Sequence, residues 1–78
     1  MTDAKAMIKQ GMAKNKIEHD YEQAERVGIS KQSFSRKLDK PWTFTFFEVL
    51  RLAKDFDWTD EELAMFVRAI GGKHEGQN

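Results

Sequence analysis

Apolar residues in this chain recur at three- and four-residue spacing and nowhere alternate with period two, so the sequence reads as helices without strands. The punctuation agrees. Thr45 is followed three residues later by Glu48, and Thr59 by Glu62, the pattern of a capping box that opens a helix. Five helical segments are predicted. The first, about residues 3 to 14, places Ala4, Met7, Ile8 and Met12 on one side, with Asn15 as a left-handed stop. The second, about 18 to 27, turns Ile17, Tyr21, Ala24 and Val27 inward and ends at Gly28, which can adopt the positive φ of a sharp exit. Ile29 anchors that turn, and Ser30 is the expected N-cap of a third helix ending at Leu38 or Asp39. Pro41 cannot continue it and opens the loop "DKPWTFT". Phe46, Val49, Leu50, Ala53 and Phe56 form the stripe expected for the fourth helix, and Leu63, Phe66, Val67 and Ile70 that of the fifth. Gly71 and Gly72 are expected to end the fifth. The expectation is an all-α, five-helix domain over residues 1–72 with a flexible polar tail at 73–78.

Seventy-eight residues, 40% of them hydrophobic and 12% aromatic, suffice for one small core that buries roughly 60% of the unfolded surface. A second domain does not fit. The absence of cysteine excludes disulfides, thiolate chemistry and sulfur-based zinc sites. Asp3, Lys5 and Lys9 interrupt the first ten residues, so neither a signal peptide nor a membrane span is readable, and a soluble cytoplasmic protein is expected. Formal charge is zero, which argues against gripping a polyanion through bulk charge. Its distribution is uneven. From Arg26 to Trp42 five basic residues (Arg26, Lys31, Arg36, Lys37, Lys40) face one acid (Asp39), a local excess of four positive charges. From Thr43 to Leu63 two basic residues face six acids, an excess of four negative charges.

The stretch "GISKQSFSRKL", residues 28 to 38, is the most informative. At about 100° per residue, Phe34 and Leu38 lie roughly 40° apart and define the buried side of the third helix. Gln32, Ser33, Ser35 and Arg36 fall on the other side, and Lys31 points off the first turn. A helix seated by two apolar residues leaves most of its surface free to touch something else.

Two helices joined by a short glycine-bearing turn, the second polar and basic outside, make the helix-turn-helix arrangement. The stretch Gln23 to Leu38, "QAERVGISKQSFSRKL", resembles that motif in the Cro and C-type phage repressor family, also called XRE or lambda-repressor-like. Ala24 stands four residues before Gly28, Val27 precedes the glycine, "GIS" forms the turn and Phe34 supplies the inward residue. The later "PWTFTFFEVLRLAKDF" is similar to the family's fourth helix and the loop before it, so the resemblance spans about residues 4 to 70. It implies a lambda-repressor-like fold whose third helix enters the major groove. By position, Lys31, Gln32 and Arg36 would read bases, Ser33 and Ser35 would meet bases or phosphates, and Lys16, Lys37 and Lys40 would meet phosphates. The implied protein is a small transcription regulator of a phage or mobile element, a Cro-like or minimal repressor with no ligand-sensing or cleavable second domain. It would occlude a promoter by binding a palindromic double-stranded DNA operator as a homodimer, with no cofactor and no small-molecule ligand. The sequence departs from the family at two places. Gln23 replaces the usual aliphatic residue, so Tyr21 and Ala24 are expected to seat the second helix. Glu18 and Asp20 repel a phosphate at that helix's start, and Asn15, Lys16 or a protonated His19 would have to offset them.

Catalysis has little to stand on. His19 and Asp20 are adjacent but lack the further ligands that a metal-dependent hydrolase needs, and no serine sits on a strained turn beside a base. No catalytic or metal-binding residues are expected. The aromatic cluster Trp42, Phe44, Phe46 and Phe47 reads mostly as core, yet Phe47 lies about 100° off the main stripe and Met65 points away from the fifth helix's buried arc. Trp42, Phe47, Trp58 and Met65 are therefore the candidate dimer surface. The competing reading is a protein-binding module on the same scaffold: an antirepressor, an antitoxin-like partner or an inhibitor of a host defence complex. Zero net charge, the acidic start of the second helix and the acidic half after Thr43 support it.

Overall fold

Local signals set most of the boundaries in the computed structural model, which describes residues 3–75. Those residues form five α-helices and no strand: α1 (Ala4–Lys14), α2 (Asp20–Arg26), α3 (Lys31–Asp39), α4 (Phe46–Asp55) and α5 (Asp60–Glu75), with a 3-10 turn at Pro41–Thr43. Asp3 caps α1 by accepting from the Ala6 N–H at 2.8 Å. Ser30 caps α3 in the same way, its Oγ accepting from Ser33 N–H at 3.2 Å. Both capping boxes form. Thr45 and Thr59 accept from Glu48 and Glu62 N–H, and each glutamate returns to accept the threonine's own N–H. Gly28 has φ +72°, as the turn between α2 and α3 requires.

Three boundaries differ from expectation. The left-handed residue after α1 is Lys16 (φ +59°), while Asn15 stays right-handed and its side-chain amide donates to the Asp55 carbonyl. The second helix starts at Asp20, two residues late, because His19 takes an extended backbone conformation. The fifth helix does not end at the glycines. It runs through Gly71 and Gly72 to Glu75, since glycine permits a stop without imposing one. Residues 73–75 of the expected tail are thus helical, and 76–78 lie outside the described residues.

The core is a file of rings with α1 laid against it. Phe34 of α3 meets Phe44 edge-on at 6.1 Å, Phe44 lies 6.4 Å from Phe66 of α5, and Phe66 lies 4.9 Å from Trp58, itself 5.6 Å from Phe56. Around it are buried Ala4, Met7, Ile8 and Met12 of α1, and Ala24, Val27, Ile29, Leu38, Val49 and Leu52. Gly11 is where α1 comes closest: a Cβ there would stand 2.6 Å from the Phe56 ring, too near for any side chain.

The buried faces of three helices differ from the predicted ones. On α4, Val49, Leu52 and Phe56 point inward, while Phe46 is 72% exposed and Leu50 also reaches solvent. On α5, Phe66 is fully buried and Val67 is exposed. On α2, Ala24 is buried as expected, but its inward neighbour is Gln23, with no accessible surface, whereas Tyr21 is half exposed. No helix among the described residues is long and apolar enough to cross a membrane.

Candidate nucleic-acid interface

α3 owes its position to three buried apolar residues: Ile29 in the turn before it, then Phe34 and Leu38 along it. α2 packs most extensively against it. Lys31, Gln32, Ser35 and Arg36 are exposed, and Ser33 is half-buried at the edge of the same surface. The helix therefore presents its predicted outer face. Arg36 Nη2 donates weakly to Ser33 Oγ at 3.4 Å, which leaves the rest of the guanidinium fork unengaged. Lys31 lies 5.9 Å from the centre of the Tyr21 ring, which stacks in turn on His19.

Ion pairing redistributes the cations. Lys37 is held by Glu48, its Nζ donating to both carboxylate oxygens at 2.6 and 2.9 Å, and both side chains are largely covered. Its ammonium, expected among the phosphate contacts, is thus engaged by a carboxylate of α4. Arg26 forks onto Asp55 through Nε and Nη2. Lys31, Arg36, Lys40 and, beyond α1, Lys16 are exposed and have no carboxylate partner among the described residues. A shallow groove beside α3, lined by Ser33, Arg36, Lys37, Lys40 and Thr43, collects the cations of its C-terminal half. Thr43 was not anticipated. It joins the groove because the 3-10 turn folds back on α3, its hydroxyl donating to the Lys40 carbonyl at 2.7 Å.

The acidic start of α2 is offset from an unexpected direction. Lys9 of α1 donates to Asp20 at 2.6 Å, while the His19 ring, next to Asp20 in the chain, stacks on Tyr21 and the Asn15 amide donates to the Asp55 carbonyl. Glu18 stays exposed. The buried Gln23 amide donates to Asp55 at 2.9 Å, so α2 is tied to the end of α4 by a polar knot of Gln23, Arg26 and Asp55.

Of the four candidate dimer residues, Phe47 (70%) and Met65 are exposed. Trp42 and Trp58 are half-buried. Trp58 belongs to the ring file, so it serves its own chain's core. Phe46, assigned to the core by its place in the stripe, is instead a surface residue in edge contact with Phe47. Among the described residues no three acidic or histidine side chains gather as a metal site would need.

Among the described residues two carboxylates titrate away from ordinary values. Burial pushes the Glu48 carboxyl up, but the hydrogen bond from Lys37, those from Thr45 and the charge of Lys37 outweigh it and hold it low. The Asp55 carboxyl is lowered chiefly by the hydrogen bond from Arg26, against burial, with help from Gln23 and the Arg26 charge. A lowered folded-state pKa contributes stability that is complete above the unfolded values, about 3.9 for Asp and 4.3 for Glu, and is lost as pH falls through the folded values. Glu48→Gln should therefore lower the urea midpoint at pH 7 and differ less from the parent protein at pH 3. A gap of equal size at both pH values would remove this role for Glu48.

No family model, curated protein or solved structure matches the chain. What its surface does is read from geometry and charge.

Proposed function

We propose that the protein is a sequence-specific DNA-binding regulator in which α2 and α3 act as a helix-turn-helix. The observation that carries this reading is the division of labour on α3. Two buried residues seat it, and Lys31, Gln32, Ser35 and Arg36 face outward with their donors largely free. A helix about 10–12 Å across fits the major groove of B-form DNA, about 12 Å wide. Gln32 has the amide to pair with adenine and Arg36 the fork to pair with guanine. Lys16 and Lys40 suit phosphates, and Thr43 adds a hydroxyl beside Lys40. Lys37 acts at one remove, by fixing α4 against α3. In this reading the protein is a Cro-like, phage-type or mobile-element repressor without catalytic activity. It works in the cytoplasm as a homodimer on a palindromic operator, because a single small helix pair grips DNA weakly.

A selection of bound duplexes from a random pool tests the reading and yields the preferred site. On that site Arg36→Ala should weaken binding by about 1–3 kcal/mol and relax the preference at one base pair. Lys14→Ala, at an exposed position on α1, should change it little. Equal losses from the two would mean that α3 does not read sequence.

A second reading has one observation in its favour. The exposed Phe46, Phe47 and Leu50 are unusual for a surface that meets only a polyanion and suit a protein partner.

A further inference from the structure

The charged and apolar residues on the outer faces of α4 and α5 complement each other. On α4, Phe46, Phe47 and Leu50 share the outward side with Arg51 and Lys54, and that side carries no acid. On α5, a shallow groove is lined by Asp60, Glu61, Ala64, Met65 and Arg68. It is acidic at the helix start, floored by a small alanine and edged by an exposed methionine. Lys54, Asp60, Glu61 and Arg68 have no ion-pair partner among the described residues.

We infer that the α4 face docks into the α5 groove of a second copy of this chain. The spacing sets the direction. Phe47 and Lys54 stand two helical turns apart, as do Glu61 and Arg68, about 10 Å in each case. An antiparallel crossing lays Lys54 on the second copy's Glu61, Leu50 on its Ala64 and Phe47 under its Arg68, where a guanidinium on a ring face is favourable. A parallel crossing would set Lys54 beside Arg68. The small Ala64 leaves room for the leucine, and Met65 adapts its shape to neighbouring rings. About a two-fold axis the contact is made twice, and α4 of each copy meets α5 of the other. Phe47 and Met65 are then both buried, joined by Phe46 and Leu50. This gives a face to the homodimer of the proposed function and rests on that part of it alone.

Sedimentation equilibrium without DNA, at low salt, is the test. The parent chain should associate with a Kd on the order of 10–100 μM, the weak range expected of a small patch. Lys54→Glu and Glu61→Lys should each shift it at least tenfold toward monomer, since each places like charges together at both contacts. An equimolar mixture of the two variants should recover association, because the mixed pair sets opposite charges at both. Phe47→Ala should abolish association while leaving the helical circular dichroism unchanged. A parent chain that is monomeric throughout, or a mixture no tighter than the single variants, overturns the inference. Neither result touches DNA binding, which is measured separately. Conversely, association with full charge-swap recovery in a protein that ignores DNA would uphold the contact and remove the regulator.

Discussion

Replacing Phe34 with alanine should cost about 3–5 kcal/mol, the usual range for emptying a fully buried phenylalanine site. A chain of this length has about 4–12 kcal/mol of stability in all. The substitution therefore removes a large share of it, and the thermal midpoint should fall by roughly 20 °C or the fold should be lost at room temperature. Phe34 is the ring through which α3 joins the core. Phe44 meets its edge, and Phe66 and Trp58 follow behind. Thermal unfolding followed by circular dichroism measures the effect. Phe47→Ala is the matched control, because its ring is mostly in solvent and its removal should change stability by no more than about 0.5 kcal/mol. Equal losses from the two would mean that α3 is not held by its apolar side, and its outward face would lose its definition.

Signals within four residues were legible in the sequence. Ser30, Gly28 and the pairs Thr45–Glu48 and Thr59–Glu62 each act on backbone groups a turn away, and each sits where it was expected. The outer face of α3 was legible for the same reason, since two inward residues fix the rotation of a nine-residue helix. What failed depends on partners far along the chain. Tyr21 was expected to seat α2 in place of Gln23, yet Gln23 is buried because its amide finds Asp55, 32 residues on. Tyr21 then turned outward to stack on His19. On α4 the predicted stripe was right at Val49 and Phe56 but took in Phe46 and Leu50, which are exposed, and missed Leu52, which is fully buried. The basic character of residues 26–42 was overstated, because Arg26 and Lys37 pair with carboxylates from the acidic half. Periodicity says which residues share a face. It does not say which face the rest of the molecule covers.

That redistribution of charge makes the salt dependence of DNA binding the most discriminating measurement. Each phosphate neutralised by a cation releases condensed counterions, so the logarithm of affinity falls with the logarithm of salt at about 0.9 per contact. Lys16 and Lys40 are the proposed phosphate contacts without carboxylate partners among the described residues, and Lys37, paired to Glu48, should add little. Two contacts per chain make about four for a dimer and a slope of about −3.6. Raising salt from about 50 to 200 mM should then weaken binding roughly 150-fold, against roughly 12-fold for a monomer. Lys40→Ala should reduce the slope by about one unit per chain and weaken all sequences alike. Lys37→Ala should leave the slope nearly unchanged while lowering stability, since it exposes Glu48 to the full effect of its burial. A protein-binding module would show a shallow slope on duplex DNA and no preferred site. A flat response, with Arg36 and Lys14 equally dispensable, would give the outer face of α3 to a different partner.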